Sequence, residues 1–314
     1  VRHEVLASAD QVRRSPGGWR PRAVVAAGAD ARLLRAVLEP WCPVPFVAWP
    51  GPGLPGWAGA LDLVVVLAPG ESNAETGSAV ADAVQRGCTL LVACPTHSTL
   101  AELAQGRYTT LLPTQTDDVL AVAVVVLQAL HGLDLGPEVN PEAVALALDE
   151  TAMHCSPHRD LSENPAKDLA LNLAEAVPLV WGGSVLAARA GRRVAEALRQ
   201  ASGRAALAAD ADHLLPVLAA APRHDVFADP FSDGGGADLR PVLLVLDDGS
   251  EAPGVRAARG RLLAAAESTD VRSRVISWSE GPEVARYAAL LSSGQYAAVY
   301  LALGLGRYAT APSR

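Results

Sequence analysis

The sequence is short of several things, and each shortage removes a class of function. It holds one lysine, Lys167, and every other one of its 26 basic residues is arginine. Acidic residues number 34, which leaves a net charge of −8. No basic stripe interleaved with aromatics runs along the chain, so nucleic acid is excluded as a main partner, because neutralising phosphates requires a basic face. Aromatics make up only 4% of the residues, so the core must be built from Ala, Val and Leu. The longest apolar run, Val119 to Leu130, follows Asp117-Asp118. It falls short of the roughly 20 residues a bilayer span requires, and no membrane partner is expected. The opening residues, Val1-Arg2-His3-Glu4, carry no apolar signal core, so the expected compartment is the cytoplasm. Cys42, Cys88, Cys94 and Cys155 lack any CxxC spacing. Reduced, mostly buried thiols are therefore expected.

What is present is an order of elements that occurs twice. Short apolar runs (Ala23–Ala27, Leu63–Leu67, Leu90–Cys94) alternate with amphipathic stretches, and the alternation returns from Pro178 to Tyr308. Buried parallel strands read as unbroken apolar runs, and their crossovers require helices. The expected fold class is α/β, with two tandem doubly wound domains of mainly parallel sheet. Their expected limits are residues 1–135 and 164–314, joined by a connecting segment over 136–163. The proline pairs Gly136-Pro137, Asn140-Pro141 and Ser156-Pro157 predict a connection holding one short helix. Asn164-Pro165 reads as a helix cap followed by proline at the first helical position. Ser72-Asn73-Ala74-Glu75 has capping-box spacing at the start of a helix over 72–86, and Thr99 to Glu102 repeats that spacing. A single helix is predicted over 206–220.

Several of these stretches together resemble the sugar isomerase (SIS) domain superfamily, nearest to the tandem-domain bifunctional phosphoglucose/phosphomannose isomerases. Arg32-Leu33-Leu34-Arg35-Ala36 stands where that family has its first helix. Leu61 to Val66, followed by Ser72-Asn73-Ala74-Glu75-Thr76, is similar to its strand and phosphate loop. Thr99 to Ala104 resembles the helix after the next strand. Asn164-Pro165-Ala166-Lys167 resembles the start of the second domain, and Tyr300-Leu301-Ala302-Leu303 the last helix. The resemblance implies two SIS-type domains, a homodimer, and hexose 6-phosphate aldose–ketose isomerisation.

That reaction moves a proton between C1 and C2, opens a sugar ring and holds a phosphate dianion. The resemblance implies His213 as the ring-opening group, while the family's glutamate base falls on or near Gln200. Glu196 stands one helical turn earlier as a displaced base. Ser72, Thr76, Ser184 and Gln200 are the expected polar contacts to substrate. No lysine follows Lys167, so the family's C-terminal lysine is missing. In the phosphate loop, Asp30 and Glu71 stand where a dianion would sit. Like charges that close cost roughly 1–4 kcal/mol per pair, enough to weaken phosphate binding tenfold or more. Pro69 removes one N–H donor. Gly182-Gly183-Ser184 reads equally as an anion-binding helix start and as the tight turn that every βα unit requires. Aldose–ketose proton transfer requires no cofactor, and none is expected. His154, Cys155 and His158 offer three soft ligands without a fourth, so no metal is expected. Two readings follow: an isomerase with weakened or lost catalysis, or a non-catalytic protein that binds a sugar phosphate or nucleotide sugar.

Overall fold

The computed structural model describes residues 1–13, 19–28, 30–70, 73–221 and 239–307. The chain forms two compact units, Val1–Ala145 and Leu146–Arg314.

The first unit is a five-stranded, wholly parallel sheet ordered β2-β1-β3-β4-β5. Its strands are β1 (Val24–Ala27), β2 (Phe46–Trp49), β3 (Leu63–Leu67), β4 (Thr89–Cys94) and β5 (Thr109–Pro113). The central strands β1 and β3 are buried at every position, as the unbroken apolar runs require. Alternate residues serve the two faces. Val25, Val64, Val66, Leu90 and Val92 pack with Val80 and Ala83 of α3 (Ala74–Gln85) and with Leu100 of α4 (Thr99–Leu103). The other face carries α2 (Ala31–Leu38) and α5 (Val119–Gly132), with α1 (Arg2–Arg13) over α5. Ten residues of α5 are buried, the mark of a helix enclosed on most sides. On α1, Glu4 is buried and accepts the Gln115 N–H, while the Ser8 hydroxyl donates to the Pro113 carbonyl. Below the strands, the fully buried carboxylate of Asp62 accepts from the Gly59 N–H and from two nitrogens of Arg22.

The second unit repeats that winding with one strand fewer among the described residues. Its parallel sheet is ordered β7-β6-β8-β9, from β6 (Ala176–Gly182), β7 (Leu207–Ala208), β8 (Arg240–Asp247) and β9 (Arg272–Ser277). Leu179, Trp181, Leu243 and Val245 face α9 (Ala211–Ala219) and α10 (Pro253–Ser268). The opposite face is covered by α7 (Pro165–Leu173), α8 (Val185–Ser202) and α11 (Glu283–Gly304). Gly191 of α8 lies against Val180, and Gly294 of α11 lies against Val194 of α8, so small residues set these approaches.

Local chemistry shifts some boundaries. The expected single helix over 206–220 is a two-residue strand, β7, followed by α9. The Ala209 N–H continues the ladder to the Val180 carbonyl. The short helix expected in the connecting stretch is the 14-residue α6 (Pro141–His154). Asn140 caps it through Oδ1, and Pro141 occupies the first turn, where its missing N–H costs nothing. Both capping boxes sit one residue away from the expected register. Asn73 caps α3 by accepting the Thr76 N–H, one residue on from Ser72, which lies outside the described residues, and Ser98, not Thr99, caps α4 by accepting the Ala101 N–H. Asn164 caps α7 as the sequence implies, accepting from Ala166 and Lys167. Among the described residues no helix is long and apolar enough to cross a membrane.

Candidate functional site

In an open parallel sheet, ligands bind beyond the carboxyl ends of the strands, where the strand order reverses. Each unit has one such point, between β1 and β3 in the first and between β6 and β8 in the second.

At the first, Gly28 follows β1 with φ +100°, a conformation natural to glycine. A Cβ at this position would stand 3.4 Å from Oγ1 of Thr76, so the buried Thr76 packs against the β1 turn from the first turn of α3. Asn73 Oδ1 holds the Thr76 N–H at 2.8 Å. The loop after β3 passes Gly70, beside which the Asp117 carboxylate lies, with Oδ1 3.7 Å from the place of a Cβ. Asp30 stands at the N-cap position of α2 without making a side-chain capping bond. Among the described residues this crevice therefore offers a helix N-terminus and the Thr76 hydroxyl, with the carboxylates of Asp30 and Asp117 nearby. Ser72 and Glu71 lie outside the described residues.

At the second, Gly182-Gly183-Ser184 leads from β6 into α8. A Cβ on Gly182 would lie 2.3 Å from the backbone of Ala187, and one on Gly183 would lie 2.3 Å from Cγ1 of Val255. Both glycines are thus required by packing. Ser184 caps α8 by accepting the Ala187 N–H at 3.0 Å, and its hydroxyl donates to Oδ2 of Asp248 at 2.5 Å. Asp248 is 7% exposed, and its other oxygen accepts the Ser250 N–H. Arg286 of α11 donates to the Asp248 carbonyl at 3.0 Å, and its buried Nε has no hydrogen-bond partner. Asp247 is paired with Arg259 of α10. A protein carboxylate thus stands at the positive end of α8, where an external anion would otherwise be favoured.

The remaining expected site residues are dispersed over this unit. Glu196 is half-buried on α8 and paired with Arg193 at 3.0 Å, and Gln200 is exposed near the end of that helix. His213 is exposed on α9, beside Asp212, which binds Arg261 at 2.8 Å. Because α8 and α9 cover opposite faces, the sheet separates Glu196 and Gln200 from His213. Asp248 is not among the site residues expected from the sequence; its position just beyond the run Val242–Leu246, at the carboxyl end of a strand, was the available signal.

The described residues include no group of three or more His, Cys, Asp or Glu that could hold a metal. Cys88, Cys94 and Cys155 are buried and Cys42 is half-buried, all as free thiols. Burial raises the pKa of the three buried thiols.

Residues 162–311 match the family model of the bacterial phospho-glucose isomerase C-terminal SIS domain. Similarity of fold extends over nearly the whole chain. Tagatose-6-phosphate ketose/aldose isomerase from Escherichia coli aligns with a TM-score of 0.68 at 14% identity, covering 98% of this chain and 88% of that one. A glucose-6-phosphate isomerase like protein from Thermus thermophilus aligns with a TM-score of 0.55 at 18% identity, covering 98% and 93%. The C-terminal domain of glucosamine-fructose-6-phosphate aminotransferase from Francisella tularensis aligns with a TM-score of 0.65 at 10% identity, covering 97% and 95%. No curated protein matches by sequence. The fold is of the SIS type, that of the phosphosugar isomerases. Beyond the fold, the sequence match to a phospho-glucose isomerase C-terminal SIS domain covers residues 162–311, just under half of the chain.

Proposed function

We propose that this chain is a relative of the hexose 6-phosphate aldose–ketose isomerases that retains sugar-phosphate binding and has weakened or lost catalysis. The observation that carries the reading is the state of the acid–base set. Gln200, on or near the position of the family's base, is an amide and accepts no proton at neutral pH. Glu196 is held by Arg193, and the second sheet divides both from His213. The reading takes Ser72, Thr76 and Ser184 as polar contacts to the substrate, Ser184 exchanging its bond to Asp248 for one to the ligand. The catalytic version of this reading brings Glu196 and His213 together from two copies, in a homodimer. The second reading is a non-catalytic sugar-phosphate or nucleotide-sugar binding protein with a regulatory role, its ligand held away from the start of α8, where Asp248 disfavours an anion.

The test is a coupled isomerase assay with fructose, glucose and mannose 6-phosphates on the parent chain and a Gln200→Glu variant, beside calorimetric titration with each sugar phosphate. Binding without turnover in the parent, with turnover appearing in the variant, is the expected result. Full turnover in the parent would overturn the loss of catalysis. Absence of binding to either protein would remove sugar phosphates as ligands.

A further inference from the structure

The second sheet ends at β9, and the position beyond it, filled by β5 in the first sheet, is empty among the described residues. A cavity of about 340 Å³ opens there, between β9 and the ends of α6 and α7. Arg274 and Ile276 point to the α7 face and Val275 and Ser277 to the α10 face, yet all four line it. The cavity therefore follows the outer edge of the strand, where backbone groups are not taken up by a neighbouring strand.

Its polar wall includes Asp168 and Arg274, which are linked by one amide that does not itself line the cavity. Asn172 of α7 accepts from Nη2 of Arg274 at 2.6 Å and donates to Oδ1 of Asp168 at 3.2 Å. The amide holds a cation and an anion apart instead of letting them pair. Each keeps capacity to spare. Arg274 gives one N–H of Nη1 to the Ser273 carbonyl and one of Nη2 to Asn172, which leaves a second N–H on each, and Asp168 is exposed, with its bonds from Asn172 going to the carbonyl and Oδ1. Leu169, Ile276 and the half-buried Trp278 supply apolar wall. The volume and this mixture are those of a small-molecule site.

We infer that this cavity binds a small zwitterion of the α-amino acid class, carboxylate to Arg274, ammonium to Asp168, and side chain on the apolar wall. A lone anion would be repelled by Asp168 and a lone amine by Arg274, whereas a molecule carrying both charges answers both. The free edge of β9 adds hydrogen bonds of the kind that peptide-like backbones accept.

Isothermal titration of the full chain with phenylalanine, leucine and glutamate, each beside its N-acetyl and C-terminal amide derivatives, tests this. At least one free amino acid should bind saturably, with each blocked form weaker by about tenfold or more, the loss expected when a charged hydrogen-bonding group is removed. Arg274→Gln and Asp168→Asn should each weaken binding to a similar extent. If Arg274→Gln lowers the folded fraction by circular dichroism, Ser293→Phe, which crowds the cavity from α11 without altering its charges, should produce the same loss. No saturable binding of any of the three amino acids at about 10 mM, a concentration that detects even weak sites, would overturn the proposal. So would equal binding of the blocked forms, or binding indifferent to Asp168→Asn and Ser293→Phe.

Discussion

The hydroxyl of Ser184 and the carboxylate of Asp248 meet at 2.5 Å across the turns that follow β6 and β8. One side chain thereby caps α8 and closes the switch point of the second sheet. Ser184→Ala removes both the cap and the partner of a nearly buried carboxylate. Urea unfolding should show a loss of about 1–3 kcal/mol, the range for leaving a buried polar group unsatisfied. Asp248→Asn keeps an acceptor for Ser184 and removes the charge from the positive end of α8. It should raise affinity for inorganic phosphate in a calorimetric titration, and unchanged affinity would mean that the turn is closed to anions for steric reasons.

Two glycines make contrasting predictions about packing. A Cβ at Gly294 would stand 2.3 Å from Cγ2 of Val194, a side chain that can be shortened. Gly294→Ala should therefore destabilise by about 1–3 kcal/mol through overpacking. Pairing it with Val194→Ala should recover about 1 kcal/mol or more of coupling in a double-mutant cycle. Gly182→Ala meets the backbone of Ala187, which no side-chain change can relieve. Its melting temperature should fall further and resist rescue.

These contacts mark the boundary of what the chain's pattern conveys. The apolar runs at Leu63–Leu67 and Val242–Leu246 announce buried strands because both faces of each are covered. β7 is invisible in that pattern: two residues, Leu207 exposed and Ala208 half-buried, carry no periodicity. The caps fall at Asn73 and Ser98 because a helix start is chosen by backbone geometry as well as residue type, and neighbouring Ser, Asn and Thr compete for it. The separation of Glu196 from His213 depends on which face each crossover helix covers, and helical spacing does not encode that. Asn172 joins Asp168 to Arg274 across more than a hundred residues, a distance over which sequence pattern is silent.

The thiols yield a prediction about pH. Burial raises the pKa of Cys88, Cys94 and Cys155 above the ordinary thiol value of 9.0. In the unfolded chain these thiols ionise first, so the folded state holds more protons above that value. Stability should be level below it and decline as pH rises beyond it towards the raised values. Replacing Cys94 by Ala should flatten that decline in urea midpoints measured across the alkaline range. In the native protein at neutral pH, the half-buried Cys42 should react with a thiol reagent well before the other three.

Lys167, the only lysine in the chain, ties the segment before α7 to the helices around it. Its ammonium donates to the Pro157 carbonyl at 2.8 Å and the Arg159 carbonyl at 2.7 Å, and lies 5.6 Å from the ring centroid of Tyr300. The Tyr300 hydroxyl in turn donates to the Cys155 carbonyl at 2.6 Å. Lys167→Met preserves the stem and removes the charge, so it isolates the contribution of these contacts. Charge-assisted bonds to backbone carbonyls contribute about 1.5–3 kcal/mol, and partial exposure of the ammonium sets the expectation at the lower end. The loss should be local before it is global: hydrogen exchange at residues 156–160 should accelerate, while the amides of β6 and β8 keep their protection. Arg would not substitute fully, because its planar fork cannot direct donors to two carbonyls as a compact ammonium does. Protection at 156–160 unchanged in Lys167→Met would show that Asn164, which donates to the Ser156 carbonyl at 2.8 Å, holds the segment by itself.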